Sequence, residues 1–171
     1  MLLDLIDIEK VRRAIIYLGL ILAAVIVQDV ILSRLPLMGV RVMVLPVAVV
    51  AVGFFEGGVW GAVYGLILGI LGDMSFSVSS ITFTVLFPLM GFASGVLAAF
   101  FVNKRFFSFF FICFFMLLVT AFCQLFRFLV FTDTNTVPLL VTGGLQTLWA
   151  LPFTPLFYYP CRSISRLDLT R

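Results

Sequence analysis

Histidine is absent from this chain of 171 residues, and charged side chains make up only 11% of it. Without histidine, the chain lacks the Ser-His and Cys-His pairs that activate a nucleophile and the usual imidazole ligands of a zinc site. A soluble domain carries about 25% charged residues. The charged share of this chain leaves too little polar surface to cover a water-soluble globule.

Cysteine is also scarce, since the chain holds only Cys113, Cys123 and Cys161. Cys113 and Cys123 lie in one apolar run, about 15 Å apart along a helix, which is too far for a disulfide. We interpret all three as small apolar residues. The net charge is only +3, and the basic residues lie at the ends of apolar runs rather than on one face, so we expect no nucleic-acid partner.

Apolar sequence is what the chain has in excess, with 63% hydrophobic residues. Because a spanning helix needs roughly 20 apolar residues, we predict an all-α integral membrane protein with one domain of six transmembrane helices. The predicted spans are residues 14–32, 42–55, 57–72, 81–102, 106–131 and 137–160, between a surface segment at 1–13 and a basic cytoplasmic tail at 161–171. No small-residue cleavage pattern follows the first run, so we expect it to remain as the first helix.

The charge distribution decides between six spans and five, the alternative in which residues 42–72 form one long helix with Glu56 inside it. With six spans and both termini cytoplasmic, eight basic residues lie inside (Lys10, Arg12, Arg13, Lys104, Arg105, Arg162, Arg166, Arg171) and three outside (Arg34, Arg41, Arg127). With five spans the count becomes four inside and seven outside. Only the six-span arrangement obeys the positive-inside rule. It predicts a tight cytoplasmic turn at residues 56–58.

A stripe of glycines marks the third predicted span. The stripe consists of Gly57, Gly61, Gly65 and Gly69, and Asp73 continues the four-residue spacing. Positions four apart share one helix face, and small residues let helices in lipid approach closely. A second set on the fourth span consists of Gly91, Gly95 and either Ala98 or Ala99. Two interpretations remain open: the stripes pack against each other within the chain, or one docks a partner protein.

Three ionisable residues lie at a similar predicted depth, namely Asp29, Asp73 and Arg127. Ionisable residues within membrane spans are rare and usually paired. We offer an ion pair of Arg127 with Asp29 or Asp73 as a hypothesis. The alternative for Asp73 is that it simply marks a helix end.

The sequence gives no support for an enzyme, a channel or a bound cofactor. An intramembrane aspartyl protease needs two carboxylates that share a proton, and the sequence GILGD at 69–73 lacks the Gly-x-Gly-Asp spacing of that family. No predicted span repeats polar positions as a pore would. The phenylalanine-rich run FFSFFFICFF at 106–115 is interpreted as a lipid-facing helix.

Two stretches carry a resemblance to a known family: GVRVMVLP at 39–46 and EGGVWGAVYGLILGILGD at 56–73. With the apolar span between them they resemble MreD, the rod shape-determining membrane protein of bacteria. The detailed resemblance covers residues 25–100, although the family often has a glycine soon after the aspartate and residues 74–81 here contain none. It implies a non-enzymatic scaffold of the cell-elongation complex in the bacterial cytoplasmic membrane. The implied partners are an MreC-like single-span protein, the actin-like MreB, RodA and a penicillin-binding peptidoglycan synthase.

The rival interpretation is a substrate-binding S component of an energy-coupling factor vitamin transporter. Those proteins are also six-span, glycine-rich and basic, and their fold is similar to that of MreD. This alternative requires a polar pocket near the outer face, for which the sequence offers Gln124, Asn135, Gln146 and Trp149, together with Arg127. Each of these residues also has a simpler interpretation as an interface anchor or a helix–helix hydrogen bond.

Overall fold

Helix dominates the computed structural model, which describes residues 8–32, 34, 42–75, 82–100, 106–131 and 136–166. Within these ranges 96% of the residues are helical and none is in a strand. The prediction of an all-helical fold is therefore confirmed.

Seven α-helices follow one another in the described ranges. They are α1 (Ile8–Ile26), extended by a π-helical segment (Val27–Leu32), α2 (Leu45–Glu56), α3 (Gly58–Ser75), α4 (Thr82–Phe100), α5 (Phe106–Phe131), α6 (Thr136–Ala150) and, after a 3₁₀ turn (Leu151–Phe153), α7 (Thr154–Arg166). The turn divides the predicted sixth span. It contains Pro152, and Pro155 follows it. Proline has no N–H to donate to a helical hydrogen bond, which explains the break.

Among the described residues, three helical segments are long and apolar enough to cross a membrane: Arg12–Val30, Thr82–Phe100 and Phe106–Gln124. Each has 19 residues, or about 28 Å of helix, close to the roughly 30 Å of a bilayer core. The shorter helices α2 and α3 are also apolar. These segments indicate a membrane protein. The number of spans and the side on which each terminus lies stay predictions.

Helix α2 lies at the centre of the bundle. Every residue from Leu45 to Phe55 is buried, because α1, α3, α4, α5 and α7 all contact this helix. A helix that is apolar on all sides is stable only where neighbours surround it. At 12 residues it is about 18 Å long. Since α2 faces protein rather than lipid, it has no need to match the thickness of the hydrocarbon core.

A single residue, Gly57, separates α2 from α3. Its φ of 97° lies in a region that side-chain-bearing residues rarely adopt. The Gly57 amide donates to the Gly53 carbonyl at 3.0 Å, which closes the end of α2. A turn at residues 56–58 is therefore present as predicted, and α2 and α3 form a helical hairpin, while the cytoplasmic location of the turn stays a prediction.

The outward face of α5 carries a row of large apolar side chains. Phe107, Phe111, Phe115, Phe122 and Phe126 are all at least 60% exposed. Contiguous apolar surface of this kind is unusual on a soluble monomer. It agrees with the predicted lipid-facing role on this face only, since Phe109 and Cys113 of the same run are fully buried in the bundle.

Candidate functional site

The glycine stripe of α3 lies directly on the backbone of α4. A Cβ atom added at Gly65 would lie 2.6 Å from the carbonyl oxygen of Phe87, and one added at Gly69 would lie 2.7 Å from the Cα of Thr84. Real Cβ atoms essentially never approach another heavy atom closer than 3.0 Å. The two helices therefore touch through their main chains, and no side chain fits between them at these positions.

The α3–α4 contact repeats every three or four residues along α3 and every four along α4, and the two helices run antiparallel. The pairs in contact are Gly58 with Gly95, Gly61 with Gly91, Gly65 with Phe87 and Gly69 with Phe83. Ala98 is buried whereas Ala99 is exposed, so Ala98 continues the inward face of α4. In this structure the stripe is occupied by α4, which places its contact within the chain.

Three helices meet where Gly53, Gly61 and Gly91 converge. A Cβ at Gly61 would lie 2.6 Å from the Cα of Gly53, and it would also collide with the Gly91 carbonyl. Ser94 lies at the junction beside Gly53, and its fully buried hydroxyl donates to the Gly91 carbonyl of its own helix at 2.9 Å. Gly53 and Ser94 were not among the residues predicted for this contact. The signal for Gly53 was present, since it continues the four-residue spacing backwards from Gly57.

The role of Gly57 differs from that of the rest of the predicted stripe. A Cβ there would meet nothing within 4 Å. Because the residue leaves the helix to form the turn, the helical spacing that groups it with Gly61 no longer applies. Gly57 is required for its backbone conformation rather than for packing.

Asp73, at the far end of the stripe, caps the start of α4. Its carboxylate accepts hydrogen bonds from the Phe83 amide at 3.1 Å, the Thr84 amide at 2.9 Å and the Thr84 hydroxyl at 2.7 Å. The first amides of a helix have no partner within it, and a negative charge there is favoured by the helix dipole. Asp73 therefore fastens the end of α3 to the beginning of α4.

The proposed ion pair of Arg127 stays a prediction. Arg127 lies in α5, but its side chain is outside the part of the chain that the structure describes. Asp29 is exposed and lies in the π-helical segment after α1. Asp73 lies near the end of α3, as one of the two interpretations states, and its role as a cap of α4 was not predicted.

Gln28 holds the segment that leads into α2, a role that sequence reasoning missed. Its amide nitrogen donates to the Val42 carbonyl and its amide oxygen accepts from the Val44 amide, both at 2.7 Å. The side chain is 3% exposed. Buried backbone groups outside a helix need such partners. A lone glutamine inside an apolar run was a signal, but its partners lie 14 and 16 residues away.

Within the residues that the structure describes, two of the polar side chains proposed for a vitamin pocket line one small cavity. Gln124 and Gln146 line a cavity of about 10 Å³ with Thr120 and Thr147, which is about enough for one water molecule. Gln124 also donates to the Met43 sulfur at 3.2 Å. Trp149 packs, partly buried, against the core. Asn135 lies outside the described residues.

No protein-family model, curated protein or solved structure matches this chain. Within the described residues, no group of three or more His, Cys, Asp or Glu side chains is placed to hold a metal ion. The geometry of the glycine-packed unit, defined here as α2, α3 and α4, is therefore the main structural guide to function.

Proposed function

We propose that this chain is a non-enzymatic membrane scaffold of the bacterial cell-elongation complex, of the MreD kind. The observation that carries the proposal is the glycine-packed unit. The segment that resembles MreD supplies α2 and α3, and α4 completes the unit by backbone contact at Gly61, Gly65 and Gly69. A unit held by its main chains presents a fixed surface, and a fixed surface suits a protein whose task is to position others.

The polar side chains in and around this unit support a structural task. Asp73 caps α4, Ser94 donates to the Gly91 carbonyl at the three-helix junction, and Gln28 holds the approach to α2. Each satisfies a backbone group of this chain instead of lining a large binding cavity. The cavity between Gln124 and Gln146, about 10 Å³, is far below the roughly 300–1,000 Å³ typical of small-molecule sites. That contrast favours the scaffold over a vitamin-binding transporter component.

The proposal includes six spans with both termini in the cytoplasm. In support, the first turns of α1, the α2–α3 turn and the second half of α7 lie at one end of the bundle. The Tyr17 hydroxyl is 3.4 Å from the Cys161 carbonyl, and the Tyr64 hydroxyl is 3.2 Å from the Ala14 carbonyl. Arg12, Arg13 and Arg162 belong to this end, which we assign to the cytoplasm by the positive-inside rule. Helices α6 and α7 together make the sixth span.

Affinity purification in mild detergent tests the role directly. With the tagged chain expressed in its own bacterium, we expect to recover an MreC-like single-span protein, with MreB, RodA or a penicillin-binding synthase as further partners. Depletion of the chain should make rod-shaped cells round. Recovery of ATPase subunits, or of a vitamin bound to the purified chain, would instead assign it to the transporter class.

A pair of matched baits shows whether the glycine-packed unit is responsible. Gly61→Leu breaks the α3–α4 contact, whereas Gly144→Leu adds the same side chain where a Cβ meets nothing within 4 Å. At equal membrane levels, the Gly61→Leu bait should lose the partners and the Gly144→Leu bait should retain them. Equal recovery with both baits would rule out this unit as the scaffold.

A further inference from the structure

A cavity of about 150 Å³ lies beside the α2–α3 turn, where α1 begins. It is partly open to the outside, and α1, α2 and α3 all contribute to it. Its lining consists of Arg13, Ala14, Tyr17, Glu56, Trp60 and Tyr64. The lining holds one guanidinium, one carboxylate and three aromatic rings, a composition unlike the apolar interior of the bundle.

The depth of this cavity coincides with the end of a membrane-length helix. The apolar window of α1 starts at Arg12, so Arg13 and Ala14 lie in its first turn. Tryptophan and tyrosine are enriched where a membrane meets water. Trp60, which is 46% exposed, stands at this level. The cavity therefore lies at the depth of lipid headgroups.

One wall of the cavity is built from stacked aromatic rings. The Trp60 and Tyr64 rings are 6.0 Å apart with 30° between their planes, and Tyr17 lies 6.2 Å from Tyr64. Aromatic faces attract cations, and the attraction grows as the cation loses water. Glu56 adds a carboxylate to the same cavity. Rings and carboxylate together favour a positively charged group.

Oxygen acceptors lie near Glu56 in this cavity, together with the N–H donors of Arg13 and Trp60. The Tyr64 hydroxyl uses its hydrogen on the Ala14 carbonyl, which leaves its oxygen lone pairs available. The Tyr17 hydroxyl faces both the Cys161 carbonyl and the Glu56 carboxylate. The one hydrogen of the Tyr17 hydroxyl goes to the Cys161 carbonyl, and the Glu56 carboxylate itself offers about four acceptor sites. A primary ammonium, with three N–H donors, matches such a set.

Arg13 places a positive charge in the same cavity. A guanidinium has five N–H donors and binds phosphate well, so it can take a phosphate in addition to other contacts. The cavity thus presents one charge of each sign and suits a zwitterion. An apolar cavity of about 150 Å³ holds a molecule the size of benzene, which makes the space here right for a small headgroup and too small for a vitamin.

The outer face of α3 continues from the cavity as an apolar track. Val63, Leu66 and Ile70 follow Trp60 along the helix, and each is between 44% and 47% exposed. A ligand with a zwitterionic head and long apolar chains would cover both features. We propose that this cavity binds the headgroup of an ethanolamine phospholipid. The ammonium lies against Glu56 and the aromatic wall, the phosphate lies at Arg13, and an acyl chain follows α3.

The proposal requires only that the chain lies in a membrane, and it is independent of the role in cell elongation. Native mass spectrometry in mild detergent tests it with three probes: dioleoyl-phosphatidylethanolamine, dioleoyl-phosphatidylglycerol and soluble phosphoethanolamine. We expect one molecule of the ethanolamine lipid to bind saturably, at least about tenfold tighter than the glycerol lipid, a difference of about 1.4 kcal/mol. Equal binding of both lipids would overturn the proposal. Equal binding of soluble phosphoethanolamine would also overturn it, in favour of the free metabolite.

Two variants locate the site. Glu56→Gln removes the negative charge and should lower the affinity for the ethanolamine lipid by about tenfold. The reason is that a charge-assisted hydrogen bond is roughly twice as strong as a neutral one. Trp60→Leu removes one aromatic ring from the cavity wall and should lower the affinity for the ethanolamine lipid by about threefold to tenfold, as expected for a half-exposed cation–π contact. Unchanged lipid affinity in either variant would contradict the assignment.

Matched controls separate the site from general effects on the protein. Tyr159→Leu removes an exposed aromatic ring from α7, outside the cavity, and should leave lipid affinity unchanged. Unfolding of each variant without added lipid shows whether it is folded, and Trp60→Leu keeps the proposal testable if Glu56→Gln fails to fold. A loss in Tyr159→Leu as large as that in Trp60→Leu would mean that the site is not this cavity.

Discussion

The two sides of α2 are packed in opposite ways. Towards α3 and α4 it presents Gly53, and the helices meet main chain to main chain. Towards α5 and α7 it presents Phe54 and Phe55, which meet Phe109 and Tyr158 with ring centroids 5.5 Å apart. Phe109 and Tyr158 are themselves 5.3 Å apart. One helix thus joins a glycine-packed unit to an aromatic cluster.

The two sides of α2 illustrate two ways in which helices associate in lipid, where the hydrophobic effect does not drive helices together. Backbone contact through glycine allows close approach but contains no side chain that can adjust. Contacts between aromatic rings hold the helices farther apart. The rings can shift to fill space when a neighbouring side chain is replaced. We therefore expect the glycine side to tolerate substitution far less than the aromatic side.

The largest effect should come from Gly61→Leu at the three-helix junction. The new side chain collides with Gly53 and Gly91, so we expect a loss of at least about 3 kcal/mol in unfolding free energy, at the upper end for overpacking. Thermal unfolding in mild detergent measures it. Gly144→Leu in α6, where a Cβ has open space, should change the midpoint little. Similar midpoints for both variants would show that backbone contact is not what holds α2–α4 together.

The next largest effect should come from Gln28→Leu, which leaves the Val42 carbonyl and the Val44 amide buried without this partner. We expect a loss of about 2–3 kcal/mol, near the lower limit for two buried backbone groups that each cost roughly 1–3 kcal/mol when unsatisfied. Gln124→Leu, which gives up only a bond to a methionine sulfur, should cost clearly less. If the two variants unfold at the same midpoint, the segment before α2 is not held by Gln28.

A smaller loss, about 1–2 kcal/mol, is expected for Asp73→Ala, since caps of this kind contribute that much. Asp73→Asn keeps a hydrogen-bond acceptor but not the charge, so its unfolding free energy should lie between those of Asp73→Ala and the original chain. Arg127→Ala distinguishes the cap from the ion pair. A double-mutant cycle with no coupling between positions 73 and 127 supports the cap alone, whereas strong coupling would restore the ion-pair hypothesis.

The smallest effect is expected from Phe109→Leu in the aromatic cluster, at about 1 kcal/mol. The ring is fully buried, but its neighbours are side chains that can shift. Phe111→Leu, on the exposed face of the same helix, is the control and should have no measurable effect in detergent. A loss for Phe109→Leu as large as that for Gly61→Leu would remove the contrast between the two sides of α2.

Regular spacing along one helix made much of the glycine-packed unit predictable. The four-residue repeat from Gly61 to Gly69 identified the contact face of α3, and the charge count separated α2 from α3 at Gly57. The repeat could not show that Gly57 leaves the helix. Its φ of 97° depends on the turn that the two helices require.

Contacts between distant parts of the chain were not predictable. Gln28 forms hydrogen bonds to Val42 and Val44 in the segment before α2. The periodicity of a helix cannot predict these bonds, because they join separate parts of the chain. The cavity at Glu56 likewise depends on α1 and α3 meeting at Tyr17 and Tyr64. Such meetings are set by three-dimensional packing, and one sequence contains no spacing rule for them.

The central position of α2 has a consequence for biosynthesis. A segment of 12 residues, about 18 Å long, is too short to be stable across a roughly 30 Å lipid core by itself. In the proposed six-span arrangement it would enter the bilayer together with α3, as a hairpin folded at Gly57. The helices α4, α5 and α7, which surround α2 in the folded protein, are synthesised after it. Folding of the chain is therefore completed by packing these later helices around a helix that was inserted early.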